Sequence, residues 1–321
     1  MPAARSIPYA AAALALAAVL VAGAARAETT IRLGKAQANQ FAFAPADVGL
    51  DTGIFKNNGI DLQISAFAGD AKMVQALAAG SLDIALGGGP ALAAIVKGAP
   101  MRGVAAGADA PNTIMLTVLK DGPVKTVADL KGRTVSVSTV GSLTYWLVQQ
   151  LSRGEGWGDD GIKIAPLGAA DAEIAALRTH QIDGVATDSV TIYRFVETGA
   201  GKILVKFGDR VKDFHVHIIY ASNALIQSKP EALRAFLAGW FETVSFMHDH
   251  KKPTVDIVAA HTGVSPAIAA QAYDDGMPIL NQTGRFNPKA LEVLGQSFVD
   301  TNTLPEKPDM SQLVTEAYLP K

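Results

Sequence analysis

The chain has 321 residues, 49% of them apolar and 18% charged, with a formal net charge of −2. It contains no cysteine, which excludes disulfides, thiolate catalysis and a lipid-modified cysteine anchor. The charge is nearly balanced, and no basic stripe or aromatic ladder is present, so nucleic acid is not an expected partner.

The first 27 residues read as a signal peptide. Arg5 is the positive n-region, Tyr9 to Gly23 form an apolar stretch, and Ala25-Arg26-Ala27 is an A-x-A cleavage site. The apolar run is shorter than the ~20 residues a membrane span needs. A soluble, exported chain starting at Glu28 is expected, in the periplasm. Its roughly 290 residues suffice for two lobes.

The next elements form a repeat. "GIDLQISAFAGDAKMVQALAAGSLDIALGG" (Gly59 to Gly88) returns as "GIKIAPLGAADAEIAALRTHQIDGVATD" (Gly161 to Asp188). Each copy reads as a short strand, a small-residue loop, a helix and a second strand. Met73, Ala76 and Leu77 in one copy, and Ile174 and Leu177 in the other, carry the apolar helical face. Asp70 and Asp171 are expected as N-caps, and Asp83 and Asp183 as turn residues before the second strand. Upstream, "FAPADVGLDTGIF" and "GSLTYWLVQQLSRGEGW" are matching strand-to-helix units.

The alternation predicts two doubly wound lobes with parallel sheets, an α/β architecture. Residues 28–111 and 222–321 would form one lobe and residues 112–221 the other, hinged near Asn112–Thr113 and Tyr220–Ser222. Two strand-to-helix junctions carry backbone amides suited to an anion: Gly88-Gly89-Pro90 in the first lobe and Gly141-Ser142 in the second. The C-terminal third is helical. Ser228-Lys229-Pro230-Glu231 reads as a capping box, with further starts at Ser265-Pro266 and Asn287-Pro288. Leu233, Phe236, Leu237, Trp240, Val244 and Met247 form a core stripe.

Catalytic signatures are missing from the sequence. There is no GxxxxGK[ST], no GxGxxG opening a helix, no G-x-S-x-G and no paired acid/base carboxylates. His215-x-His217 lacks a third ligand at useful spacing and reads as two histidines on a half-exposed strand. No metal and no cofactor are expected, and nothing marks an enzyme.

"APADVGLDTGIFKNNGIDLQISAFAG", "MVQALAAGSLDIALGGGPAL", "VADLKGRTVSVSTVGSLTYWLV" and "SKPEALRAFLAGW" occur in one order. Together with the signal peptide they resemble the sulfonate/nitrate/taurine-type solute-binding proteins of ABC importers. The resemblance implies a bilobal type II periplasmic-binding fold, acting as a monomer, that closes on a small solute and delivers it to a membrane permease. It implies binding positions at Gln40, Phe41, Gly69, Asp70, Gly88, Gly89 and Pro90, and in the second lobe at Thr139, Gly141, Ser142, Leu143 and Asp188. The amide-rich junctions favour a sulfonate, nitrate or carboxylate. Phe41, Tyr145 and Trp146 leave room for a ring-bearing remainder or serve as core. Asp188 is placed to recognise an amino group or to cap a turn. The alternative solutes are a pyrimidine, a thiamine precursor or an aromatic compound. Thiamine-pyrimidine synthases share the fold but carry a cysteine-rich iron site, which this cysteine-free chain lacks.

Overall fold

A computed structural model describes residues 28–321; the predicted signal peptide lies outside the described residues. Ten strands form two five-stranded sheets. The strands are β1 (Thr29–Lys35), β2 (Ile60–Ala66), β3 (Ile84–Gly88), β4 (Met101–Ala108), β5 (Ile114–Leu119), β6 (Thr134–Val137), β7 (Lys163–Pro166), β8 (Gly184–Asp188), β9 (Gly201–Lys206) and β10 (His217–Ser222). The first sheet runs β2-β1-β3-β10-β4 and the second β7-β6-β8-β5-β9, so the repeat builds the same sheet twice.

The sheets are mixed, not parallel throughout. β10 is antiparallel to β3 and β4, and β5 is antiparallel to β8 and β9. The direction follows from how the chain crosses. It leaves the first sheet at the carboxyl end of β4 and enters the second beside the carboxyl end of β8, with Ile114 opposite Asp188. A strand that starts at that edge must run against its neighbours. The return crossing does the same, with His217 opposite Gly88. No βαβ crossover precedes either strand, so nothing imposes the parallel direction. This pairing also places the return crossing before His217. Tyr220–Ser222 lies inside the first sheet, not at a hinge.

Local chemistry fixes both copies alike. Asp83 Oδ2 accepts from the Arg32 amide at 2.9 Å, and Asp183 Oδ2 accepts from the Thr134 amide at 2.9 Å. Each aspartate thus ties the turn before one strand to the backbone of the neighbouring strand, and each pairs with an arginine, Arg32 or Arg133. Neither helix of the repeat is capped by its aspartate. Helix Asp70–Ala78 follows Gly69 and helix Ala170–Arg178 follows Ala169. Asp70 instead reaches β3, and Asp171 is exposed and paired with Arg194. The helices therefore register at an offset of one hundred, Asp70 with Ala170 and Met73 with Glu173.

The stripe Leu233 to Met247 is buried along helix Pro230–Asp249. Ser265 and Asn287 cap their helices through the Ile268 and Lys289 amides. Ser228 does not cap. Residues Asn223–Ser228 are themselves helical, and the Ser228 hydroxyl donates back to Ala224 O at 2.7 Å. Among the described residues, no helix is long and apolar enough to cross a membrane.

Candidate functional site

The carboxyl ends of the parallel strands of both sheets face one small cavity. From the first sheet it is lined by Gln40, Phe43, Asp70, Gly88 and His217, and from the second by Ile114, Ser138, Leu143, Thr144, Thr187 and Asp188. Its volume is about 30 Å³, room for a water or two. An outer cleft continues from Asp70 past Pro90, Thr139, Gly141 and Ser142 to Thr301–Thr303.

The first of the two expected anion grips is not formed. The Gly88 amide donates to Asp70 Oδ1 at 2.8 Å, and the Gly89 amide donates to Val216 O at 3.0 Å. Pro90 has no amide hydrogen, and the segment Gly89–Leu92 is only a short 3₁₀ turn. The donors that were to hold an anion are thus already engaged, one of them by a carboxylate. Tyr220 Oη, fully buried, donates to Gly88 O at 2.7 Å and fixes this junction from below.

The second junction keeps its helix start. Ser142 Oγ accepts from the Tyr145 amide at 3.3 Å and caps the twelve-residue helix Leu143–Gly154. Ser138, Ser142 and Thr144 form a buried hydroxyl cluster, with Ser138 Oγ donating to Ser142 Oγ at 3.1 Å. Gly141 sits at φ +71°, and a Cβ there would lie 3.1 Å from Thr303 Oγ1. Gly141→Val should therefore lower the melting temperature of the unliganded protein, by the ~1–3 kcal/mol of a strained left-handed residue. An unchanged melt would contradict this.

Asp188 is both a cavity residue and a cap. Its Oδ1 accepts from the Thr191 amide and its Oδ2 from Thr191 Oγ1, each at 2.8 Å. The two lobes are reciprocal here: where one has Asp70 and Gly88, the other has Ala170 and Asp188. Each contributes one carboxylate, from the helix start in the first and from the strand end in the second. Burial raises the pKa of both, against the opposing hydrogen bonds from Gly88 and Thr191.

The other expected positions divide. Gln40 lines the cavity with Oε1 unpartnered, and Leu143 lines it from the facing helix. Thr139, Gly141, Ser142 and Pro90 line the outer cleft. Phe41 does not reach either; it packs edge-on against Tyr273, with Gly276 beneath its ring. Gly69, at φ +99°, lies against Thr139, where a Cβ would come within 2.7 Å of Thr139 Cγ2. Gly89 packs under the His215 carbonyl. Trp146 is core, stacked on Phe214 at 4.3 Å.

The histidines are buried, not half-exposed. His215 holds Asp109 through Nδ1 and accepts from the Asn287 amide at Nε2, both at 2.8 Å, so its role is to clamp the first crossing. His217 enters the cavity with neither ring nitrogen partnered. Burial lowers its pKa to about 3, so the ring is neutral at pH 7. Among the described residues no group of three His, Cys, Asp or Glu is placed to hold a metal. Glu173 lies behind Asp188, fully buried, with a pKa raised to about 8 by burial and then by the Asp188 charge. It occupies the position of the buried Met73 in the other copy, and that mismatch within the repeat was its sequence signal.

Two mixed α/β sheets with flanking helices and a shared cavity at their strand ends define the two-lobed periplasmic-binding-protein fold. The chain belongs to the NMT1/THI5-like family, whose model matches residues 40–253. Among solved structures, it is similar to the alkanesulfonate-binding protein SsuA from Xanthomonas axonopodis pv. citri bound to MOPS (18% identity, 90% of this chain and 99% of that one, TM-score 0.79). It is likewise similar to the periplasmic aliphatic sulphonate binding protein SsuA from Escherichia coli (20% identity, 89% and 92% covered, TM-score 0.71). The periplasmic nitrate-binding protein NrtA from Synechocystis PCC 6803 shares 15% identity over 91% of this chain and 87% of that one, with a TM-score of 0.73. No curated protein sequence matches the chain.

Proposed function

We propose that this protein is the exported solute-binding component of an ABC importer, a non-catalytic receptor that closes two lobes on a small solute and delivers it to a membrane permease. The observation that carries the reading is the reciprocal pair of junctions, Asp70–Gly88 and Ala170–Asp188, facing one cavity from two copies of one sheet. Family membership and the sulfonate- and nitrate-binding neighbours support it. The anion expected from the sequence draws no support from the first lobe, where the Gly88 and Gly89 amides already have protein acceptors.

Two results check the reading. N-terminal sequencing of periplasmic material should begin at Glu28, and an intact Met1 would remove export. Mass spectrometry of small molecules released by denaturing the exported protein should find one solute near one per chain. Incubation before denaturation should leave that solute chemically unchanged. Conversion to a product would make the protein an enzyme.

A further inference from the structure

We propose that the cavity between the sheets takes the cationic head of its solute, an ammonium or amidinium group held between Asp70 and Asp188. This rests on the receptor reading above and names the solute class of that same site.

The charge balance of the lining points this way. Each lobe contributes one carboxylate, and no lysine or arginine lines the cavity among the described residues. Lys35, at the end of β1, is already bound to both oxygens of Asp47. An anion entering here would meet two carboxylates and no compensating cation. A cation would instead offset the burial of both.

Two further side chains, independent of the carboxylates, are open to a ligand. His217 is 5% exposed and lines the cavity with both ring nitrogens unpartnered. As a neutral imidazole it offers one acceptor and one donor. Gln40 is 4% exposed, and its Oε1, an acceptor, is also unpartnered. Asp70 Oδ2 has no donor among the described residues, since only Oδ1 takes the Gly88 amide. The unfilled valences are thus acceptors in the main, the complement of an N–H-rich head group. Phe43 lines the same cavity and adds an aromatic ring, a favourable neighbour for a desolvated cation.

Calorimetry on the exported protein with shape-matched probes tests this: benzamidinium against benzoate, and n-butylammonium and agmatine against butanesulfonate and nitrate. At least one cation should bind with Kd below about 1 mM, and the matched anions should not. Asp70→Asn and Asp188→Asn each keep an oxygen for the Gly88 amide or the Thr191 amide, so both variants should fold. Each should weaken the bound cation at least tenfold. Binding of anions without cations, no cation binding at all, or cation binding unchanged in both variants overturns the proposal. The solute released from the exported protein is the separate control. One with a basic nitrogen supports the proposal, and one without overturns it while the receptor reading stands. No released solute, with no probe bound, counts against both.

Discussion

Asp47→Ala should destabilise the fold by ~3–5 kcal/mol, the usual result of leaving one member of a buried ion pair without its partner. Lys35 Nζ donates to Asp47 Oδ1 at 3.0 Å and to Oδ2 at 2.8 Å, and both side chains are almost fully buried, at 8% and 11% exposed. The pair joins the end of β1 to helix Ala44–Asp51 and so brackets the segment that carries Gln40 and Phe43 into the cavity. The melting temperature should fall by roughly 5–15 °C in a protein of this size. Lys35→Met combined with Asp47→Leu should recover most of that loss, because neither charge is then left buried alone. Urea unfolding of the three proteins checks it. A single variant as stable as the parent would show that the pair is open to water.

Glu173→Gln should flatten the dependence of stability on pH. The folded-state pKa of Glu173 is raised from 4.5 to about 8, by burial first and the Asp188 charge second. Between those values the folded chain keeps a proton that the unfolded chain has released. The contribution of this group is therefore fully present below pH 4.5 and is lost as pH rises toward 8. The slope is on the order of 1 kcal/mol per pH unit. Glutamine is close in shape to the protonated acid and does not titrate. Relative to the parent, the variant should gain stability from pH 5 to pH 8, by several kcal/mol in urea unfolding. Asp70 and Asp188, also raised by burial, push both proteins in the same direction and cancel in the comparison. Equal slopes in the two proteins would mean that Glu173 is ionised or solvated in the fold.

The parts of this fold that were legible in the sequence are those set by short-range pattern. The repeat, the helical stripe from Leu233 to Met247 and the caps at Ser265 and Asn287 all depend on neighbours within a turn or two. Asp83 and Asp183 were legible as turn residues because the same residue recurs at the same place in both copies. What stayed hidden depends on long-range geometry. The direction of β5 and β10 is set by where the chain crosses between sheets, which periodicity does not encode. Whether the Gly88 amide is free depends on Asp70, eighteen residues away, folding back onto it. Reading Asp70 as a cap, aligned with Asp171 rather than Ala170, concealed that contact. Glu173 was within reach of the sequence, since an acid standing where the other copy has Met73 breaks the apolar face of its helix. Phe41 and His217 show the converse: a candidate binding aromatic packed into the core, and a strand histidine read as half-exposed turned into the cavity.

In the proposed receptor the two lobes part to admit a solute, since a cavity of about 30 Å³ admits none as it stands. The cysteine-free chain allows this to be measured with a single engineered crosslink. Ala68, in the loop after β2, faces Gly168, in the loop after β7, and a Cβ built on Gly168 lies 3.7 Å from Ala68 Cβ. That spacing suits a disulfide. Gly168 has φ +89°, so cysteine there carries a strain of ~1–2 kcal/mol. Small-angle scattering should be recorded on Ala68→Cys/Gly168→Cys without solute, oxidised and then reduced. The oxidised form should be compact, with the lobes held together, and the radius of gyration should rise once the bond is reduced. Superimposable curves for the two forms would mean that the lobes stay closed, and that no organic solute reaches the site.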